Sequence, residues 1–197
     1  MGGDRATRPE AKPVRLFAGA DIPGSHERAI ETVIAPWRER LPEGRWDPPE
    51  KWHVTLKFLG RTPPRLVARV EGACRETASA VQPFEVTLAD LGVFPSPGRA
   101  RVLWVGLDDP AQGLTRLAAG LDERLAAEFE PEKRGFTPHL TVARFRSSVR
   151  IPEPEALSAV SCSAPPFTVD RLVLYRSRLL GPRGSRYEAV GEFPLGA

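Results

Sequence analysis

Two segments of the sequence repeat one pattern of side chains, in which histidine, an apolar residue, threonine and a second apolar residue follow one another. The segments are residues 53–56 (HVTL) and residues 139–142 (HLTV). Because side chains alternate across a β-strand, the histidine and threonine of each segment share one face and the apolar residues share the other. The chain has three histidines. Two of them in matching frames predict one shared chemical role, with a core face behind it.

An imidazole titrates near pH 6.5, so at neutral pH one of His53 and His139 can donate a proton while the other accepts one. A general acid and a general base on opposite sides of a phosphorus atom suit an in-line displacement, in which water loses a proton as the leaving oxygen gains one. The hydroxyls of Thr55 and Thr141 are short donors that can bond the non-bridging phosphate oxygens. The pattern thus predicts cleavage of a strained phosphodiester without a cofactor.

A metal site or a nucleotide-binding loop fits the sequence less well than acid-base chemistry does. A zinc site needs three or four clustered ligands, whereas His53 and His139 lie far apart without an H-E-x-x-H motif or a nearby acidic cluster, so no metal is expected. A Walker loop and a dinucleotide fingerprint are absent from the sequence. Both histidines could instead be core residues whose rings bond backbone carbonyls. The third histidine, His26, is expected on an exposed helical turn, without a catalytic partner.

Composition indicates an ordinary soluble globular protein. Of the 197 residues, 41% are hydrophobic and 27% are charged, and the net charge is +3. No apolar run is long enough to span a membrane, and residues 1–13 form a polar segment without the features of a signal peptide. We expect residues 1–13 to be a disordered lead-in, residues 14–197 to be a single domain, and the protein to be a cytoplasmic monomer.

Basic side chains and cysteines add less information. Most of the 28 basic residues are arginines, which fits either phosphate recognition through guanidinium groups or solvated surface charge. The two cysteines, Cys74 and Cys162, are not part of a metal-binding or redox motif, and Cys74 is expected in the core.

Apolar periodicity predicts the elements that must position the two motifs. The helix that begins at Ser25, its expected cap, should be kinked or interrupted at Pro36. Strands are expected at about 14–20, 53–60, 84–94, 101–107, 137–145, 167–176 and 186–193, and helices at about 25–41, 64–81, 111–129 and 153–160.

The order of these elements predicts an α+β fold with two lobes. Each half of the chain contributes one His-Thr strand next to a long helix, which indicates two pseudosymmetric lobes, each with an antiparallel sheet and helices. A central groove between the lobes would bring His53 and His139 face to face.

At these residues the chain resembles the two-histidine phosphoesterase superfamily, and within it the RNA 2′,3′-cyclic phosphodiesterases that are also called 2′-5′ RNA ligases (LigT-like). The resemblance extends from about Arg15 to Leu195. Beyond the two motifs it includes residues 15–23 (RLFAGADIP), 57–60 (KFLG), 92–97 (GVFPSP), 101–104 (RVLW), Pro138, 143–144 (AR) and 172–177 (LVLYRS).

The resemblance implies a metal-independent enzyme with no cofactor, which hydrolyses the terminal 2′,3′-cyclic phosphate of RNA to a 2′-phosphomonoester. In that scheme His53 protonates the departing 3′-oxygen, His139 activates water, and Thr55 and Thr141 hold the phosphate. The implied partners are RNA 3′ ends or small nucleotides that carry a cyclic phosphate. Ligation through a 2′-5′ linkage at the same site, and a non-catalytic module that binds RNA ends or nucleotides, are the alternatives.

The resemblance also places Arg144 at the phosphate and Phe58 at the phosphate or the adjoining base. Strict alternation along each strand disagrees, because it puts Lys57 and Ala143 on the histidine face instead. A β-bulge after each threonine would reconcile the two expectations. Further candidates for groove contacts are Tyr175, Arg176 and Trp46.

Overall fold

The computed structural model describes residues 12–160, 162–181 and 184–197, and it confirms the α+β fold. The predicted lead-in therefore falls almost entirely outside the described residues. The strands are β1 (Val14–Asp21), β2 (Arg45–Trp46), β3 (His53–Thr62), β4 (Phe84–Phe94), β5 (Ala100–Asp108), β6 (His139–Val149), β7 (Phe167–Val169), β8 (Arg171–Leu179) and β9 (Ser185–Pro194). The α-helices are α1 (Glu27–Arg40), α2 (Pro64–Ser79), α3 (Gly113–Leu125) and α4 (Glu155–Ser158).

The strands form one antiparallel sheet in two similar halves. Over the described residues the strand order is β7-β4-β5-β6-β3-β1-β8-β9, and the short strand β2 pairs with β6. One half consists of β3-β1-β8-β9 and the other of β6-β5-β4-β7. The halves meet where β3 lies antiparallel to β6, with Val54 paired to Leu140. Each of these two residues directly follows a motif histidine. An approximate two-fold axis therefore passes between the two motifs, as the pattern of the sequence predicted.

The core lies behind the histidine face of the sheet. Val54 and Leu140 are almost completely buried in it, together with the apolar residues of helices α2 and α3, which pack against each other and against the sheet. Cys74 of α2 is buried as predicted, and its burial raises the pKa of the thiol to about 12. None of the described helices is both long and apolar enough to cross a membrane.

A β-bulge interrupts each motif strand at the same place. In β3, Thr55 lies opposite Gly19 while Lys57 lies opposite Ala18, so Leu56 is an extra residue. The extra residue lets two successive side chains point to the core and returns the next one to the groove. Accordingly Leu56 and Lys57 are both buried, whereas Phe58 is 70% exposed.

The same irregularity occurs in β6, where Thr141 lies opposite Trp104 and Ala143 lies opposite Leu103. Val142 and Ala143 are both buried there, and Arg144 returns to the groove side. The strict-alternation prediction, which put Lys57 and Ala143 on the histidine face, is therefore wrong. The physical reason is a bulge after each threonine, the feature expected to place Arg144 and Phe58 on that face.

Four local predictions also need correction. Pro36 does not interrupt helix α1, which continues to Arg40, and His26 rather than Ser25 is the cap residue. His26 is not exposed: it is buried, and its Nε2 lies 2.8 Å from the carbonyl oxygen of Pro165, which satisfies the ring. The strand predicted at 167–176 is divided into β7 and β8, which pair with different neighbours.

Substitution of Lys57 tests its placement in the core. The Lys57 ammonium pairs with the Asp122 carboxylate and donates to the Glu130 carbonyl oxygen. Because Asp122 keeps partial access to water, Lys57→Ala should lower the free energy of unfolding by roughly 2–3 kcal/mol, somewhat less than loss of a fully buried pair. Urea denaturation provides the measurement, with Lys133→Ala at an exposed position as the control. Unchanged stability of Lys57→Ala would contradict the assignment.

Candidate active site

Four polar side chains come together on one face of the sheet where its halves meet. The antiparallel pair between Val54 and Leu140 sets His53 across from Thr141 and Thr55 across from His139. The two histidines are therefore diagonal neighbours, a relation in which the strands hold side chains about 7–8 Å apart at their bases. All four residues are half-buried, so their polar atoms remain open to the groove.

Each histidine ring is fixed by the same hydrogen bond. Nδ1 of His53 donates to the carbonyl oxygen of Lys51 (2.6 Å), and Nδ1 of His139 donates to that of Thr137 (2.8 Å), two residues earlier in both cases. These bonds define the neutral tautomer in which Nε2 carries a lone pair. Nε2 of His53 lies 3.0 Å from the hydroxyl oxygen of Thr55. The rings are thus oriented to exchange protons through Nε2.

Aromatic rings surround both histidines and hold them in place. The ring of Phe17 lies 4.8 Å from that of His53, between centroids, and the ring of Tyr187 lies 5.2 Å away in an edge-on arrangement. In the other half, Phe94 lies 5.1 Å from His139, also edge-on, and Trp104 lies 6.0 Å away. Each half of the sheet therefore supplies an apolar wall behind its imidazole.

Tyr175 contributes to the wall around His53. Its ring stacks on Phe17 at 4.9 Å and lies 5.8 Å from His53. Its hydroxyl donates a hydrogen bond to the carboxylate of Asp21, which lies opposite His53 in the sheet. Gly19 allows β1 to lie this close to β3, because a Cβ at that position would lie 2.7 Å from the Val54 carbonyl oxygen.

A cavity of about 370 Å³ opens beside His53. His139 lies outside its lining, on the other half of the same face. The cavity is lined by groups of three kinds: arginine side chains, apolar or aromatic groups, and small polar residues. The lining residues are Arg15, Arg45, Arg144, Leu16, Phe17, Phe58, Leu179, Tyr187, His53, Gly60, Ser177 and Ser185.

A buried carboxylate orients the arginine nearest to the histidines. Asp47 is 4% exposed and pairs with the guanidinium of Arg144. The Asp47 backbone is itself fixed, since its N–H donates to the Val142 carbonyl oxygen and its carbonyl accepts from the indole of Trp52. Arg144 keeps part of its surface exposed to the groove. A cation is therefore held rigidly next to both motifs.

Burial and this cation favour the neutral form of both imidazoles. Burial lowers the pKa of His53 to about 4, and the positive charge of Arg144 acts in the same direction against the raising effect of the Lys51 carbonyl. The pKa of His139 is also lowered, again mainly by burial and further by Arg144. Because the folded chain resists protonation of His53 more than the unfolded chain does, this group makes stability fall as the pH drops from about 6.5 towards 4.

The structure brings together most of the residues proposed from the sequence. His53, Thr55, His139, Thr141, Arg144 and Phe58 lie on the groove side, and Tyr175 packs beside His53. Trp46 is instead paired with the buried Ala143 and packs against the core. Arg176 lines a neighbouring recess and is absent from the lining of the cavity.

Several members of the site were not predicted from the sequence. Phe17 could have been found from alternation along β1, because it shares a face with Gly19 and Asp21. The same argument along β9 would have pointed to Tyr187. Asp47 gave no such signal, since it belongs to an irregular, proline-rich segment and acts through a distant partner.

The comparisons with known proteins agree with this architecture. A sequence model of the 2′-5′ RNA ligase superfamily matches residues 25–179. The chain therefore belongs to that superfamily.

Individual relatives cover most of the chain. The RNA 2′,3′-cyclic phosphodiesterase of Aquifex aeolicus is 33% identical over 94% of this chain and 99% of its own length. That of Geobacillus stearothermophilus is 31% identical over 93% of this chain, which spans 58% of that longer relative. The crystal structure of E. coli LigT in complex with 3′-AMP superimposes with a TM-score of 0.72 at 26% identity, over 94% of this chain and all of LigT.

The protonation state of the two rings can be measured by NMR. We expect both histidines to occupy the Nδ1–H tautomer, and we expect the His53 signals to titrate near pH 4, because burial and Arg144 oppose its charge. Arg144→Gln should raise the pKa of both rings, whereas Arg45→Gln should change them less. A His53 pKa of 6.5 or above, or an Nε2–H tautomer, would contradict the described site.

Proposed function

We propose that this protein is an RNA 2′,3′-cyclic phosphodiesterase that opens a terminal cyclic phosphate to a 2′-phosphomonoester by acid-base catalysis with two histidines. The observation that carries the proposal is the matched pair of imidazoles, fixed through Nδ1 on one groove face with Nε2 available in each. The relatives named above support the same activity. A pair of core histidines would not require the matched tautomers, the adjacent arginine and the open cavity.

In the proposed reaction His139 acts as the base and His53 as the acid. Nε2 of His139 removes a proton from a water molecule, whose oxygen attacks phosphorus as the bond to the 3′-oxygen breaks. Protonated His53 delivers its proton to that oxygen, which leaves as the 3′-hydroxyl. Proton exchange with solvent then returns His139 to its neutral form and His53 to its protonated form. The anionic phosphate raises the pKa of His53 on binding, which offsets the effect of burial and supplies the protonated acid.

Thr55, Thr141 and Arg144 are proposed to hold the phosphate. Each threonine shares a face with one histidine, so its hydroxyl can donate to a non-bridging oxygen between the two rings. Arg144 neutralises negative charge that develops on those oxygens in the transition state. Asp47 limits the directions in which the guanidinium can move, which reduces the entropy lost on binding.

Phe58 is proposed to receive the terminal base. The ring is 70% exposed and lines the cavity beside His53, so a nucleobase can stack on its face. LigT has been crystallised with 3′-AMP, which is consistent with a nucleotide in the corresponding groove. Tyr175 is proposed to act mainly by supporting Phe17 and the ring of His53.

Metal independence is also part of the proposal. Among the described residues, no group of three or more histidine, cysteine, aspartate or glutamate side chains is placed to hold a metal ion. Activity that persists after treatment with EDTA would support this point.

Formation of a 2′-5′ linkage is the second candidate function, because the matched superfamily carries that name. Incubation with cleaved RNA halves distinguishes ligation from hydrolysis of the cyclic phosphate.

Substitution of each histidine tests the mechanism and the assignment of roles. His53→Ala and His139→Ala should each lower turnover of a nucleoside 2′,3′-cyclic phosphate by about 10²–10⁴-fold, the range for loss of general acid or base catalysis. On a phosphodiester with a nitrophenol leaving group, which departs without protonation, His53→Ala should lose much less activity than His139→Ala.

The third histidine provides the matched control. His26→Gln lies outside the groove, and turnover of its folded fraction should stay near that of the parent. Nucleotide binding by the parent without any measurable hydrolysis, and largely kept in His139→Ala, would indicate a binding module instead. Equal losses for His53→Ala and His139→Ala on the nitrophenyl substrate would refute the assignment of His53 as the acid.

A further inference from the structure

A second recess, of about 320 Å³, lies at the end of the sheet where β1 begins. Four arginines line it: Arg15, Arg61, Arg176 and Arg178. Arg15 of β1 lies directly opposite Arg61 of β3, so two guanidinium groups leave the sheet side by side. The like charges repel one another at this separation, and an anion from the protein or from a ligand would offset that repulsion.

The protein supplies that anion for only half of the cluster. Arg178 pairs with Glu188, which lies opposite Arg176 in the sheet and also interacts with it electrostatically. By contrast, neither Arg15 nor Arg61 forms a hydrogen bond or an ion pair with any residue in the described part of the chain. Both side chains are exposed, and their mutual repulsion is relieved when an anion binds between them.

The recess is continuous with the catalytic groove. Arg15, Ser177 and Leu179 line both the recess and the cavity beside His53. Asp21 of β1 lies opposite His53, and Arg15 lies six residues earlier on the same strand, which corresponds to about 20 Å along the sheet. A stacked nucleic-acid strand rises about 3.4 Å per nucleotide, and an extended strand rises more, so a few nucleotides cover this distance.

Phe58 lies between the two sites. It is opposite Phe17, which is two residues from Arg15 along β1. A strand whose terminal phosphate lies between the histidines, and whose terminal base stacks on Phe58, is therefore directed towards Arg15 and Arg61. The alternation of an aromatic platform and backbone-binding arginines is typical of sites for single-stranded nucleic acid.

We propose that Arg15 and Arg61 bind backbone phosphates of single-stranded RNA upstream of the cyclic end, so that the preferred substrate is an oligonucleotide rather than a mononucleotide. This inference rests on the proposed phosphodiesterase activity and specifies its substrate class. The contacts are to phosphates and carry no base specificity, so the preference depends on strand length and not on sequence.

The test compares kcat/KM for a nucleoside 2′,3′-cyclic phosphate with kcat/KM for oligoribonucleotides of two to eight residues that carry the same end. For the parent, kcat/KM should rise with length until the strand reaches the recess and then stay constant. Arg15→Gln/Arg61→Gln should lower kcat/KM for the longest oligonucleotide by about tenfold, because each lost phosphate contact contributes roughly threefold. Arg61→Gln alone, whose side chain lines the recess but not the cavity beside His53, should leave activity on the mononucleotide unchanged.

The salt dependence gives an independent measurement of the same contacts. For single-stranded nucleic acid, the slope of log affinity against log salt concentration becomes shallower by about 0.7 for each phosphate contact removed. Binding of a labelled 2′-phosphorylated octanucleotide, followed by fluorescence anisotropy, should therefore show a slope shallower by about 1.4 in the double variant.

The matched control is Arg28→Gln/Arg116→Gln, which removes two exposed arginines from helices α1 and α3. It should leave the slope and the length preference unchanged.

Three results would overturn the proposal. They are a parent enzyme with no length preference, an Arg61→Gln variant that loses as much activity on the mononucleotide as on the oligonucleotide, and a control variant with the same change of slope. Failure of the parent to hydrolyse the cyclic phosphate at any length in this series would instead refute the proposed function. The anisotropy measurement would still report on the recess in that case, because it needs no turnover.

Discussion

The site depends on the strand pair at which the two halves of the sheet meet. Val54 and Leu140 are paired there, each directly after a histidine, and both are buried in the common core. Displacement of either strand by one residue would exchange the core face for the groove face and separate the histidines. The apolar residues of the two motifs thus set the register that brings residues from distant parts of the sequence to one groove.

Rigidity of the imidazoles is the second constraint, and it has an electrostatic consequence. The aromatic rings and backbone carbonyls that orient His53 and His139 also remove water from them, and Arg144 adds a nearby positive charge. The free site therefore favours two neutral rings, and an anionic ligand is needed to charge one of them. In the proposed mechanism the phosphate that is to be cleaved supplies this charge, so protonation of the acid is coupled to occupation of the groove.

Much of this arrangement was predictable from sequence because it follows from local periodicity. The period of two in residues 53–56 and 139–142 gave the histidine face, the core face and the two-fold relation between the halves. The bulges after Thr55 and Thr141 were not determined by periodicity, since an extra residue in a strand leaves no pattern of its own, and so strict alternation alone put Lys57 on the wrong face. The Asp47–Arg144 pair and the burial of His26 depend on contacts between distant segments, which a single sequence does not show.

Whether one phosphate lies between both histidines can be tested by titration with a nucleoside 2′-monophosphate, the proposed type of product. The ring resonances of His53 and His139 would be followed by NMR at fixed pH as this ligand is added. We expect both sets of signals to move along one isotherm with a stoichiometry of one, and we expect the pKa of both rings to rise. Movement of one ring alone, or of the two rings at different ligand concentrations, would contradict this expectation.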